Sequence, residues 1–219
     1  MIDVERLEKS FVSPGETVRV LDGVSMAVAA GECVALTGAS GSGKSTLLNI
    51  LGGLEPADAG SALVSGVNVT AASDAALAKM RLEKVGLVFQ DHNLVPDFTV
   101  LENIEVVLRA RGTDGRRARQ QAMDALERVH VAELAERRPA RISGGQAQRV
   151  GIARAISGGK QVILADEPTG SLDSRTTQAV FELLASLAQD GAAVVVCTHD
   201  LSVRDHVSRE YHLVDGKLR

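Results

Sequence analysis

Three short stretches of this chain put phosphate-handling chemistry at fixed positions. In Gly38-Ala39-Ser40-Gly41-Ser42-Gly43-Lys44-Ser45, the glycines admit backbone conformations closed to other residues, so successive N–H groups can converge on phosphate oxygens. Lys44 adds a fixed positive charge, Ser45 offers a hydroxyl to Mg2+, and the helix continuing through Thr46 turns its N-terminus toward the anion. A plain glycine-rich turn is the alternative, and the completeness of the pattern argues against it.

Asp166 and Glu167 close the apolar run Val162-Ile163-Leu164-Ala165. Adjacent residues of a strand project to opposite sides, so the two carboxylates are expected to take different jobs. Asp166 would serve Mg2+ through its water shell, and Glu167 would polarise the attacking water of a phosphoryl transfer. Taken alone, the pair is also compatible with an ordinary acidic strand end. Ser143-Gly144-Gly145-Gln146 lies about a hundred residues after the glycine loop and precedes Ala147–Ile156, where Ile152 and Ile156 stand one turn apart. Its glycines open a second helix N-terminus and a second place for an anion. By itself, this tetrapeptide says no more than that a helix starts.

The elements that must hold these groups are those of an α/β domain. Strand-length apolar runs alternate with helical patterns, which predicts a largely parallel sheet. Cys33-Val34-Ala35-Leu36 leads into the glycine loop, and Leu47, Leu51 and Leu54 after it fall at helical spacing. Ile2–Leu7 and Val18–Val28 alternate loosely, and turn residues at Pro14-Gly15 and Ala30-Gly31 bound the second run. Both read as antiparallel strands at one edge. Between Thr99 and Val129 the pattern is helical alone, with Leu101, Ile104 and Leu108 on one apolar face and Ala118, Ala122, Ala125 and Val129 on another. This segment reads as a helical insertion. Val162–Ala165 and Ala192–Cys197 then resume as continuous apolar strands, the pattern of a sheet covered on both faces.

Composition narrows the function class. The 219 residues are 45% hydrophobic, 24% charged and 2% aromatic, with net charge −4, so disorder is excluded and no basic field invites nucleic acid. Cys33 and Cys197 sit in apolar runs without metal-ligand spacing and read as buried thiols suited to a reducing compartment. Met1–Arg6 is charged, unlike a signal peptide, and no segment reaches the roughly 20 apolar residues that span a bilayer, so any membrane role requires another polypeptide. The arginines at 109, 111, 116, 117 and 119 form the one basic cluster, read as a solvated face or as a contact for anionic lipid headgroups.

In this order the motifs closely resemble the nucleotide-binding subunit of ATP-binding-cassette (ABC) transporters, over essentially the whole chain. The resemblance implies a P-loop NTPase core with an antiparallel β edge and an inserted helical subdomain: 1–92 and 158–219 for the ATP-binding core, 93–157 for the helical part. It makes Gly38–Ser45 the Walker A loop, Gln90 the Q-loop glutamine that couples Mg2+ and water to the helical subdomain, and Ile142–Gln146 the family signature. Val162–Asp166 becomes Walker B, Glu167 the catalytic glutamate, Ser171-Leu172-Asp173-Ser174 the D-loop, and His199 the switch histidine that reaches the γ-phosphate. In that family ATP lies between the Walker A loop of one copy and the signature of another, so Ser143, Gly145 and Gln146 are expected to meet nucleotide across a homodimer. Phe11 stands where the family usually has a tyrosine stacking on adenine, and a ring face, worth roughly 1–3 kcal/mol to stacking, suffices for that. Ile142 replaces the usual leucine at nearly the same volume. His92, His130, His206 and His212 match no motif.

Asp166-Glu167-Pro168-Thr169-Gly170-Ser171-Leu172-Asp173, with Val88-Phe89-Gln90-Asp91-His92-Asn93-Leu94 and Thr99-Val100-Leu101-Glu102-Asn103, is most similar to the lipoprotein-releasing, macrolide-exporting and cell-division ATPases. Members of that subgroup pair with four-span membrane subunits bearing large external domains. The resemblance therefore implies a bare ATPase subunit at the cytoplasmic face of the membrane, ending at Arg219. Its role would be export, lipoprotein release or force transmission, or else a nucleotide-gated scaffold controlling a cell-wall hydrolase in cell division. Soluble ABC proteins of translation or DNA repair, with paired cassettes or long coiled-coil insertions, fit less well.

Overall fold

The apolar runs that continue without polar interruption are divided between two cores. In the computed structural model, which describes residues 1–13, 15–170 and 172–219, β1 (Ile2–Ser13), β2 (Glu16–Val28), β4 (Ala59–Val64) and β5 (Val67–Asn68) form an antiparallel sheet in the order β2-β1-β4-β5. The second sheet contains β3 (Cys33–Thr37), β6 (Val85–Val88), β7 (Val162–Asp166), β8 (Ala193–Cys197), β9 (Arg209–Val214) and β10 (Lys217–Leu218), in the order β10-β9-β3-β8-β7-β6. All its pairings are parallel except β9 with β10. The expected mostly parallel sheet with an antiparallel edge is thus present. The edge strands run longer than their hydrophobic alternation indicated, and Pro14, expected to bound the second of them, lies outside the described residues.

Side chains alternate across each parallel strand, so successive residues enter different cores. Val34 and Leu36, Val162 and Leu164, and Ala193, Val195 and Cys197 join the antiparallel sheet and α1 (Lys44–Leu51) in one core. Cys33 and Ala35, Ile163 and Ala165, and Val194 and Val196 face the opposite core. That second core is closed by α3 (Val100–Ala110), α4 (Gly115–Arg128), α5 (Gly144–Ile156) and α6 (Ser174–Gln189); a further helix, α2 (Asp74–Glu83), precedes β6. Both faces covered is why these strands carry no polar residue before their C-terminal ends.

The glycine loop follows β3 and opens α1, as its context demanded. Leu47 and Leu51 are fully buried, but Leu54 is an exception: the helix ends at Leu51, the Gly52-Gly53 turn intervenes, and the side chain is exposed. Helical periodicity past a glycine pair had no helix to act on. Leu101, Ile104 and Leu108 of α3 and Ala118, Ala122 and Ala125 of α4, with Val129 capping it, are all buried in the second core as their spacing indicated. Both cysteines are buried and free, and burial pushes the Cys33 thiol up to about 12 and the Cys197 thiol well above its ordinary value.

The second half of the chain between β6 and α3 is held by a side chain of α3 itself. Asn103, wholly buried, donates its amide to the carbonyls of Val95 and Thr99 and accepts from the Val95 N–H at 2.7 Å. Removing it leaves the Val95 N–H without its acceptor, while the two carbonyls keep only their backbone donors, the N–H groups of Phe98 and Asn103. Asn103→Ala is therefore expected to cost on the order of 2–3 kcal/mol and to lower Tm by about 5–10 °C in a thermal melt. An unchanged Tm would show that the loop satisfies its backbone another way.

Candidate nucleotide site

Lys44 begins α1, and its ammonium reaches back into the loop that precedes it. Nζ donates to the Gly38 carbonyl at 2.9 Å and the Ala39 carbonyl at 3.0 Å, so the loop curls around a buried cation. Two glycines make this possible by close approach. A Cβ on Gly38 would lie 2.3 Å from the Leu213 carbonyl oxygen, and one on Gly43 would lie 2.7 Å from that of Val20, with φ of 148° and 104°. No larger residue could sit so near the backbone of β9 and β2 in these conformations.

Beside the loop lies a cleft of about 680 Å³ walled by Val20, Ser40, Gly41, Gly43, Lys44, Ser45, Thr46, Gln90, Glu167 and His199. Four of these elements come from distant parts of the chain, and the sheet brings their C-terminal ends to one edge. Asp166 has the same parity along β7 as Val162 and Leu164, which turns it to the α1 side, toward Ser45. Burial raises its carboxyl above the usual range; the Ser45 hydroxyl and the Lys44 charge pull it back, while Glu167 adds to the rise. One carboxylate oxygen, Oδ1, is buried with no hydrogen-bond partner.

Glu167 does not obey the strand alternation expected of it. The strand ends at Asp166, and Glu167 has φ 44°, in the left-handed region, with its N–H donated to the Cys197 carbonyl. The turn, and not a pleat, aims its side chain, and it shares the cleft with Lys44 and Gln90. Its Oε2 lies 3.0 Å from Nδ1 of His199 but out of line for a hydrogen bond, so this buried oxygen keeps its accepting capacity. His199, at the end of β8, is largely exposed at the cleft mouth.

Hydroxyl, carboxylate and amide oxygens are the hard donors that Mg2+ takes, and the orphaned Asp166 Oδ1 is a group such an ion would satisfy. Among the described residues no group of three or more His, Cys, Asp or Glu could hold a metal alone. An ion here would complete its shell with oxygens from water or a bound ligand.

The remaining expected site residues lie elsewhere. Ala39 and Ser42 wall a neighbouring depression of about 400 Å³, and Ser42 Oγ is buried without a partner. Phe11 is 43% exposed, opposite Val18 on the β1–β2 hairpin, with the Lys9 ammonium 5.1 Å from its ring centre. At that exposure Phe11 is no core aromatic, yet it does not wall the cleft. Asp173 caps α6 by accepting from the Thr176 N–H and hydroxyl, and these bonds, the hydroxyl's first, hold its carboxyl below the usual range. Ser171, of the same expected motif, lies outside the described residues.

Ser143 and Gln146 form a reciprocal cap on α5: the Ser143 hydroxyl accepts from the Gln146 N–H, and the Gln146 amide oxygen accepts from the Ser143 N–H. Gly144 and Gly145 follow with no side chain over the helix end, Gly144 in open space. None of the four walls the cleft. Sequence inspection missed Val20, which packs against Gly43, and also Gln148 and Arg154 of α5, whose polarity on an otherwise buried helix was the available signal. Within the basic cluster Arg109 and Arg119 both pair with Glu105, Arg119 also with Glu136, and Arg111 donates to the Gly158 carbonyl.

Residues 21–170 match the family model described as ABC transporter. Among curated proteins, the chain is 42% identical over 218 residues to a macrolide export ATP-binding/permease protein MacB of Yersinia pestis, and 41% identical to one of Shigella flexneri. Those alignments take in 100% of this chain but 32% and 34% of the relatives, so it spans about a third of their length. Among solved structures, it is similar at TM-score 0.95 and 37% identity to the dimeric ATP-binding cassette MJ0796 in a post-hydrolysis state bound to ADP and Pi. That likeness covers 100% of this chain and 97% of the other.

Proposed function

The chain belongs to the ABC transporter family as one of its ATPase cassettes, and from that premise we propose that two copies close face to face on two ATP molecules and hydrolyse them to drive a membrane permease. One observation carries this reading: the cleft holds the glycine loop, Gln90, Glu167 and His199, whereas the exposed helix end at Ser143–Gln146 walls no part of it. Each cleft then obtains its second anion-binding helix end from the other copy, in keeping with the dimeric form of the related cassette.

In such a site the Gly38–Ser45 backbone and Lys44 neutralise the β- and γ-phosphates, and Phe11 stacks on the base. Ser45, Gln90 and Asp166 would hold Mg2+, which when bound offsets charge on the phosphate oxygens. Glu167 orients a water through its free carboxylate oxygen, and His199 beside it faces the γ-phosphate. The water oxygen bonds to the γ-phosphorus and its proton passes to the Glu167 carboxylate, as the bond from that phosphorus to the bridging oxygen breaks with its electron pair left on ADP, giving ADP and phosphate. Ser143, Gly145 and Gln146 of the second copy close the open side, and Asp173 lies at the seam.

Coupling to a membrane subunit is supported by a groove of about 340 Å³ next to the Gln90 segment. Phe89, Asn93, Val95 and Val106 line it, with Val95 and Val106 exposed at 40% and 42%. We assign this groove to a permease related to those fused in the macrolide export proteins, with four spans and a large external domain. The cassette would then work at the cytoplasmic face of the membrane. No described helix is long and apolar enough to cross a bilayer.

Shared sites make turnover depend on encounter. ATP hydrolysis per chain, measured over a dilution series, is expected to fall with dilution once the copies separate. A specific activity that stays constant down to concentrations where sedimentation shows only monomers would refute the shared site.

A further inference from the structure

The segment that carries Gln90 is fastened to α5 on both sides of that residue. Before it, the Phe89 carbonyl accepts from Nε2 of Gln148 at 3.4 Å; after it, Oε1 of Gln148 accepts from Nδ1 of His92. One turn and a half further along α5, the Arg154 guanidinium donates to the carbonyls of His92 at 2.7 Å and Asn93 at 2.6 Å. Gly151 lies between them on the same face, and a Cβ there would stand 3.5 Å from the His92 carbonyl oxygen. His92 and Asn93 both have positive φ, 60° and 49°, which residues with side chains rarely hold in succession without such support. Gln148 is 2% exposed, so its amide has no competing water.

We propose that Gln148 and Arg154 are positioning residues for hydrolysis. They make the Gln90 segment travel with the helix that begins at Ser143. The span from Gly144 to Arg154 is about 15 Å of continuous helix, stiff enough to move as one piece. Engagement of Ser143–Gln146 with nucleotide on a second copy then sets the place of Gln90 in the cleft of the same chain, and the two composite sites inform each other. Neither residue touches nucleotide. The inference rests on the shared-site reading above.

The test uses the full chain with Arg154→Lys, which keeps the charge but loses the two-carbonyl fork, and Gln148→Met, which keeps the volume. Each is expected to lower kcat for ATP by roughly 10- to 100-fold through misplacement of Gln90, with KM for ATP within about twofold. In a Gln90→Ala background the same changes are expected to add nothing further. An unchanged kcat, a raised KM alone, or an equal loss on top of Gln90→Ala would overturn the proposal. Hydrogen exchange of residues 89–94 without nucleotide reads the fastening itself. Faster exchange in either folded variant is expected, and unchanged exchange in both overturns the proposal whether or not the chain hydrolyses ATP. A wild-type chain with no ATP turnover would instead defeat the shared-site reading and leave exchange to decide the fastening.

Discussion

Glu167→Gln is expected to slow ATP turnover by about 10²–10⁴-fold, ~3–5 kcal/mol of barrier, while ATP stays bound. Glutamine preserves the size and the left-handed turn that aims the side chain, so the loss isolates the carboxylate charge. What makes that charge available is geometric. Oε2 is buried and accepts no hydrogen bond, yet it lies beside His199 in the cleft that Lys44 also lines. A group so placed can take a proton or align a water; an amide at the same point orients water poorly and accepts no proton. Because the phosphate contacts from Lys44 and the glycine loop are untouched, closure around ATP should persist and the closed dimer should accumulate. Single-turnover hydrolysis, ATP retention and sedimentation together measure this. Wild-type turnover in the variant would remove Glu167 from the reaction.

The second large effect separates a shared site from one built within a chain. Lys44→Ala deletes a buried charge that the loop is folded around, costing about 2–5 kcal/mol of phosphate affinity, so at least about thirtyfold in ATP binding. Ser143→Arg fills the helix end that a second copy would present. Each variant alone is expected to be inactive, since every site in its homodimer carries the defect. Mixed in equal amounts they should regain activity, because a heterodimer pairs one intact Lys44 with one intact Ser143. With random pairing, half the dimers hold one working site of two, so about a quarter of wild-type activity returns. If each chain contained its whole site, mixing would restore nothing.

The glycine loop was legible because its function is local: consecutive backbone N–H groups, a lysine and a hydroxyl act over a single strand-to-helix turn, which the apolar run Cys33–Leu36 and the spacing of Leu47 and Leu51 announce. The parallel sheet was legible for a similar reason, since strands buried on both faces show as unbroken apolar runs. Leu54 and Glu167 were misjudged where a regular period was carried past its element. The first lies beyond a Gly-Gly turn and the second beyond the end of β7, and periodicity has no force outside the hydrogen-bonded repeat that creates it. Gln148 and Arg154 escaped notice because a polar residue on a helix carries no mark of which loop it will hold.

Residue order alone determined the chemical identity of each segment: where phosphate, metal oxygen donors and helix starts occur along the chain. The tertiary structure decided which of them meet. Parallel strands deliver the ends of β3, β7 and β8 to one edge, so Lys44, Asp166, Glu167 and His199 converge although they are far apart in the chain, while α5 carries Ser143–Gln146 to an exposed place outside that cleft. Sequence spacing cannot report this, because a chain's path through a sheet brings residues together by strand order and crossover, not by separation along the backbone.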